Sequence, residues 1–320
     1  MRKENVAIVG MGFGGSIHVQ AFNNCKLYHI IALADNGSKK SNKFCRKYNL
    51  DCKTFDSIDE MFIKCPIDIV SIATPPNLHI EIIKKCLDRK KKILCEKPVG
   101  TKKADLINLK NYIKEKENIH LFINYLFRFD SSIRTIKNYL NEKVIGKIKE
   151  INIKWNTPKR NLDTRVWKLK NNSILIDRGC HVVDYLIFLL NDLDIEKKKI
   201  IESYNEANLL MRLKNGTLIN CEMSCVSSKD LGHSITISGT KGIINSSFPY
   251  PFNPKNKQVV FMNKSNKTLI KKSVIDYFPD DRIDSMTRLI SSIANDTNQR
   301  QNFSELDRAI KIWSILNNSS

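Results

Sequence analysis

Apolar positions in the first third of the chain come in short runs rather than in stripes. Asn5–Val9, Tyr28–Ala34, Ile67–Ala73, Lys92–Cys95 and His120–Tyr125 all read this way. Such runs suit strands that are buried on both faces of a parallel sheet. Between them lie segments of helical character: from about Gly14, from the turn Asn36-Gly37-Ser38-Lys39-Lys40 to Tyr48, and over Ser57–Lys64, Ile80–Asp88 and Thr101–Lys116. In Ser57–Lys64, for example, Ile58, Met61 and Phe62 fall on one side of a helix. Strand and helix alternate regularly with short connections, which predicts an α/β domain with a doubly wound parallel sheet over residues 1–124.

Near residue 125 the pattern changes. A helix is predicted at Thr135–Leu140, and Ile148–Thr157 alternates polar and apolar with period two. Residues 158–176 show no period, and Leu175–Leu190 reads as an apolar-rich helix. Strand-like runs follow at 199–204, 207–213, 217–227 and 233–238, with Asn215-Gly216 as a hairpin turn and Gly239-Thr240-Lys241-Gly242 as another. Residues 246–280 are polar with short strands, and helices at Arg282–Ala294 and Ser304–Leu316 close the chain. Residues 125–320 are therefore expected to form an α+β domain around a large, mostly antiparallel sheet with one open face, its last helices packing back on the first domain.

The first strand ends in Gly10-Met11-Gly12-Phe13-Gly14-Gly15, so Gly10, Gly12 and Gly15 carry the G-x-G-x-x-G spacing. Gly10 permits a tight turn, Gly12 leaves room for a pyrophosphate, and Gly15 lets the next helix pack close. That helix would aim its N-terminal N–H groups and positive dipole end at phosphate. The second strand ends in Asp35, where a carboxylate is needed to accept hydrogen bonds from an adenosine ribose diol. Together these predict dinucleotide binding, NAD in preference to NADP because Asp35 repels a 2′-phosphate; Ser38 and Lys39 leave NADP open. Thr74-Pro75-Pro76-Asn77-Leu78-His79 is held extended by its prolines at the carboxyl end of the third run, where ligands bind in open α/β sheets.

Composition narrows the function. No stretch approaches the roughly 20 apolar residues of a membrane span. The first strand starts within a few residues of Met1, which leaves no room for a secretory signal and sets the expectation of a cytoplasmic protein. Nine cysteines, scattered and without a C-x-x-C pair, fit buried thiols better than a metal pair at Cys221 and Cys225, so no metal is expected. A net charge of +20 fits either nucleic acid or an anionic substrate. The excess is lysine spread along the chain without an interleaved aromatic stripe, which argues against nucleic acid and leaves anionic substrate steering.

The glycine turn with His18, Asp35, A-T-P-P-N-L-H at 73–79, E-K-P at 96–98, D-R-G-C-H-V-V-D at 177–184 and G-T-K-G at 239–242 together resemble the Gfo/Idh/MocA oxidoreductases. The resemblance spans nearly the whole chain in the family's order. It implies an N-terminal Rossmann domain and a nicotinamide-dependent dehydrogenase or reductase acting on a sugar, cyclitol or nucleotide-linked sugar, as a homodimer or homotetramer paired through the open sheet face. It also implies that Gly10, Gly12, Phe13, Gly14, Gly15, Asp35, Thr74, Pro75, Asn77, His79, Glu96 and Lys97 hold the cofactor. Lys97, His181 and Asp177 then line the nicotinamide pocket. Removing hydride from a carbinol needs a base for the hydroxyl proton and a cation for the developing alkoxide. On a helix Asp177 and His181 share a face, as do His181 and Asp184. His181 is thus expected as proton acceptor, Lys97 as alkoxide stabiliser and relay, and Asp177 as orienter or substrate contact; Arg128 and Arg165 are further substrate candidates. Asn171-Asn172-Ser173 stands where the family often has glycines, which alters the loop's approach to substrate. Two other readings stay open: a redox-neutral glycosidase holding NAD, and a non-catalytic cofactor-binding sensor.

Overall fold

The structure, a computed structural model, describes residues 2–114, 116–158, 174–203, 205–229, 231–249, 257–263, 268–273, 281–294 and 301–317. It divides into two compact units, Met1–Leu126 with Ser285–Ser314, and Phe127–Asp284 with Ile315–Ser320.

The first unit is built on β1 (Glu4–Val9), β2 (Tyr28–Ala34), β3 (Lys53–Phe55), β4 (Ile69–Ile72), β5 (Lys92–Cys95) and β6 (Leu121–Ile123). Their order in the sheet is β3-β2-β1-β4-β5-β6, and every pair is parallel. The connecting helices are α1 (Phe13–Asn24), α2 (Ser38–Tyr48), α3 (Ile58–Lys64), α4 (His79–Asp88) and α5 (Lys103–Lys114). The unbroken apolar runs behave as predicted: Val6, Ala7, Ile8, Ile69, Val70, Ile72, Ile93 and Leu94 are wholly buried. Each large aliphatic side chain so buried is worth about 1.5–3 kcal/mol. The strand β3 is an addition to the predicted set. It is three residues long, only Phe55 in it is buried, and an edge strand of that kind leaves no apolar run to read. Strand order reverses between β1 and β4, so the crevice for a ligand lies beyond the carboxyl ends of those two strands.

The second unit holds β7 (Ile148–Asn156), β8 (Ile195–Glu202), β9 (Glu206–Leu213), β10 (Leu218–Ser224), β11 (Gly232–Gly239), β12 (Gly242–Pro249), β13 (Gln258–Asn263) and β14 (Thr268–Ser273). They form one sheet in the order β14-β13-β12-β11-β7-β10-β9-β8. All pairs are antiparallel except β7 with β10. Register puts Ile151, Ile153 and Trp155 beside Ile219, Cys221 and Met223 on one side and beside Ile237, Ile235 and His233 on the other. This face is covered by α6 (Ser131–Asn141) and α7 (Cys180–Leu190). The opposite face carries Asn152, Lys154, Asn220 and Thr236, the period-two alternation that predicted an open sheet. Gly216, at φ 86°, turns the β9–β10 hairpin as Asn215-Gly216 predicted.

The helix expected over Leu175–Leu190 is not uniform. Leu175–Gly179 is a wide π turn, and the α-helix proper starts at Cys180. Asp177 therefore lies in the π turn and His181 in the first turn of the α-helix that follows it. The closing helices are α8 (Asp281–Ala294) and α9 (Gln301–Leu316). Residues 285–314 belong to the first unit, where Tyr28 donates its hydroxyl to the Ile290 carbonyl.

Candidate functional site

In the first unit the glycine turn lies at the carboxyl end of β1, beside the exit of β4. Gly10 sits at φ 98°, and a Cβ there would lie 2.6 Å from the Ala73 carbonyl oxygen. A Cβ at Gly15 would lie 2.0 Å from the Gly10 carbonyl oxygen, so α1 packs on the turn only with glycine there. At Gly12 a Cβ would meet nothing within 4 Å. The backbone leaves that space open beside the uncapped N-terminus of α1, which receives no side-chain hydrogen bond from its cap residue. An open cradle facing helical N–H groups is what a pyrophosphate requires.

Asp35 closes the second strand, and its Oδ2 accepts a hydrogen bond of 2.6 Å from the Met11 backbone N–H. Lys40 on α2 sits 3.6 Å from Oδ1. The loop after β4 brings Thr74, Pro75, the exposed Asn77 and His79 to the same edge. The Oγ1 of Thr74 is buried and has no hydrogen-bond partner among the described residues. His79 is fully buried, its Nδ1 2.9 Å from the Pro98 carbonyl and its Nε2 2.8 Å from the Thr74 carbonyl. It ties the loop after β4 to the loop after β5, and burial holds its pKa below the usual imidazole range against the pull of both carbonyls.

The loop after β5 carries Glu96 and Lys97 within a hydrogen-bonded array. Glu96 Oε1 lies 3.1 Å from His18 Nε2 and accepts a 2.8 Å bond from Asn124 Nδ2, while Oε2 accepts from the Lys97 backbone N–H. His18 Nδ1 is 2.6 Å from the Ser71 hydroxyl. Burial pushes the Glu96 carboxyl up, but the His18 bond and charge, the Lys97 charge and the Asn124 amide outweigh it and bring the pKa to about 2. The carboxylate is therefore ionised at neutral pH, next to Lys97. Ser71 and Asn124 escaped sequence reasoning. Their one signal was a polar residue inside or just past a buried strand.

In the second unit His181 stands in the first turn of α7, nearly buried, with its ring 5.0 Å from Phe127 and 6.1 Å from Trp155 between centroids. Asp177 lies in the π turn just before it, partly exposed. Asp184 is paired with Arg128, Oδ2 to Nε 3.1 Å, and their side chains are 1% and 13% exposed. Arg128 thus braces α7 from below instead of standing on the surface. Arg178, uninterpreted from sequence, donates to the carbonyls of Trp155 and Ser224 at 2.7 and 2.9 Å and to the Thr157 hydroxyl at 2.7 Å. It clamps the ends of the parallel pair β7 and β10, and bonds from a charged donor are worth about 1.5–3 kcal/mol each. Arg165, Trp167, Lys159, Arg160 and Asn171-Asn172-Ser173 lie outside the described residues.

The chain matches known proteins at both ends of this arrangement. Residues 4–125 match the Gfo/Idh/MocA oxidoreductase family with its NAD-binding Rossmann fold, and residues 133–245 match that family's C-terminal domain. The chain belongs to the Gfo/Idh/MocA family. An oxidoreductase of Synechocystis is 24% identical to this Gfo/Idh/MocA protein over 260 residues, covering 74% of this chain and 70% of that one. Glucose-6-phosphate 3-dehydrogenase of Bacillus subtilis is 22% identical over 264 residues, covering 74% and 73%. A crystal structure of an oxidoreductase from Agrobacterium radiobacter in complex with NAD+, L-tartaric acid and magnesium superposes with a TM-score of 0.79 at 16% identity, covering 98% of this chain and 94% of that one. Family membership makes the chain an NAD-binding oxidoreductase, and the open cradle at Gly12 fits that cofactor. Among the described residues no helix is long and apolar enough to cross a membrane.

Proposed function

We propose that this Gfo/Idh/MocA protein interconverts a secondary alcohol and a ketone on a sugar, cyclitol or sugar phosphate, using NAD. The observation that carries the reading is the convergence of the open Gly12 cradle, Asp35, Thr74 and the Glu96–Lys97 pair on one edge of the parallel sheet. The resemblance to glucose-6-phosphate 3-dehydrogenase and the net charge of +20 both favour an anionic substrate as the first to test.

The cofactor would be held at its phosphates by the α1 N-terminus and at its adenosine ribose by Asp35, with Thr74, Pro75, Asn77 and Glu96 beside the rest. Bound there, NAD supplies the hydride acceptor. Lys97, whose backbone N–H bonds to the Glu96 carboxylate, lowers the energy of the substrate alkoxide. His181 accepts the hydroxyl proton at an imidazole nitrogen. Asp177 orients the imidazole or the substrate. Arg128 contributes through α7, held to Asp184. Pairing into a homodimer or homotetramer is proposed through the open sheet face, where Ile201, Leu210 and Leu218 are exposed. A monomer by light scattering at micromolar concentration would overturn that part.

The test is fluorescence titration with NADH and NADPH, followed by a panel of sugars, cyclitols and sugar phosphates at the reduced-nicotinamide absorbance. Binding with turnover is expected, with turnover lost and binding kept in Lys97→Ala and His181→Ala. Binding without turnover on the whole panel would refute the reaction, and absence of binding would refute the cofactor site.

A further inference from the structure

Two cysteines that the proposed reaction does not use lie side by side at the edge of the first unit. Cys45 is in the last turn of α2, Cys52 leads into β3, and their sulfurs are 2.9 Å apart. Both are partly exposed. The separation is inside ordinary van der Waals contact of two sulfurs and within about 1 Å of a disulfide bond length. The other cysteines do not share this arrangement: Cys25, Cys65, Cys86, Cys95, Cys180 and Cys221 are buried, and Cys225 hydrogen-bonds to Asn205 Oδ1 at 3.4 Å.

The backbone around the pair is held in a shape that keeps the sulfurs together. Asn49 takes a left-handed conformation at φ 49° and ends α2, and the Leu50 N–H bonds back to the Cys45 carbonyl at 2.9 Å. The chain then pairs with β2 from Lys53 onward, so Cys52 is fixed from its other side. Exposed Lys43, Arg46, Lys47 and Lys53 flank the pair, with Asp51 as the nearby acid. That cationic surround favours approach of a small anionic disulfide.

We infer that Cys45 and Cys52 form an oxidisable dithiol, a modification site that takes electrons from its own thiols to reduce a low-molecular-weight, anionic disulfide. The Cys45 thiolate attacks one sulfur of the small disulfide, forming a mixed disulfide and expelling one small thiolate. Cys52 then attacks the Cys45 sulfur, closing the Cys45–Cys52 bond and expelling the second small thiolate. Two protein thiols are oxidised, one disulfide is reduced to two thiols, and the protons lost by the cysteines pass to the departing thiolates. Burial and the bond to Cys45 push the Cys52 thiol up, which disfavours it as the first attacker. This site is independent of the substrate and of the hydride reaction.

The test equilibrates the reduced full-length protein with glutathione and glutathione disulfide over a range of ratios, then digests it with trypsin without reductant. The expected product is the peptide Phe44–Arg46 linked to Tyr48–Lys53, two mass units lighter than the sum of its halves and split by dithiothreitol. Cys52→Ser should stop at glutathione on Cys45, and Cys45→Ser should give no linked peptide. A linked Cys52–Cys65 peptide, or glutathione remaining on Cys45 in the wild-type protein with no Cys45–Cys52 link at any ratio, would overturn the proposal. So would an absence of any modification while other exposed thiols react.

Discussion

Asp130 does two jobs with one buried carboxylate, and their cost can be separated. Its Oδ1 accepts the Ser132 and Ile133 N–H groups at 2.8 and 3.2 Å, capping α6. Its Oδ2 accepts from Lys257 Nζ at 2.5 Å, and the two side chains are 2% and 1% exposed. Lys257 also lies 5.0 Å from the Phe248 ring. Asp130→Ala removes the cap, at about 1 kcal/mol, and takes the carboxylate away from a buried ammonium, at about 3–5 kcal/mol. The expected loss is about 4–6 kcal/mol, a factor of at least roughly a thousand in the local opening equilibrium. Asp130→Asn keeps an acceptor for the cap and should lose only the charge part. Asp130→Ala combined with Lys257→Met should recover most of the charge part, leaving about 1 kcal/mol. Native-state hydrogen exchange read by mass spectrometry on peptides covering Ser131–Asn141 localises the effect to α6. If Asp130→Ala reduces protection there less than tenfold, or if Lys257→Met restores nothing in that background, the pair does not carry the energy assigned to it.

Three further outcomes follow from the same reading. Gly12→Ala should leave the melting temperature within about 1 °C, since its Cβ meets no protein atom, yet weaken NADH binding about tenfold or more; Gly15→Ala should cost about 3 kcal/mol or more of stability because its Cβ would overlap the Gly10 carbonyl. Unchanged NADH affinity in Gly12→Ala would show that the cradle is not the phosphate site. Glu96, at about 2 in the folded protein against about 4.5 unfolded, contributes stability that is complete above about pH 4.5 and lost as pH falls toward 2, of the order of 3 kcal/mol. Urea midpoints across that window should lose this part of their slope in Glu96→Gln, and an identical slope would contradict the array around it. His233, which donates nothing to solvent and sits 3.1 Å from the Tyr185 hydroxyl, is brought to about 3 by burial and by the charges of Lys257 and Arg178. Its folded pKa is depressed, so stability is complete above about pH 6.5 and falls as pH drops toward 3; His233→Phe paired with Tyr185→Phe should flatten that dependence between pH 6.5 and 4.

Much of the fold was legible because its signals are local. Apolar runs such as Val6–Val9 and Ile69–Ile72 can be buried on both faces only in a parallel sheet. The alternation of Ile151, Ile153 and Trp155 with polar neighbours can only line one face of a half-open sheet. Local signals also fixed the glycine turn, because φ 98° at Gly10 and the close approach at Gly15 exclude any other residue. The three-residue β3 was not legible, because an edge strand with one buried side chain has no period.

The site divides the same way. Sequence alone named the residues that converge on the edge of the first sheet, since each follows a strand whose carboxyl end must face the crevice. What each does with its hydrogen bonds depended on partners far away in the chain. Glu96 is ionised because His18 and Asn124 reach it from α1 and from the end of β6. Arg128 pairs with Asp184, and Arg178 donates to the main chain of two strands. Residues 175–179 take a π turn where the apolar pattern suggested plain α-helix, and the two thiols of Cys45 and Cys52 meet only because the loop between them folds back on β2. Strand order and the backbone geometry of glycine were set by side-chain volume and conformational freedom, which a sequence states directly. Charge pairing, protonation and proximity were set by contacts between residues far apart in the chain, which only the folded structure supplies.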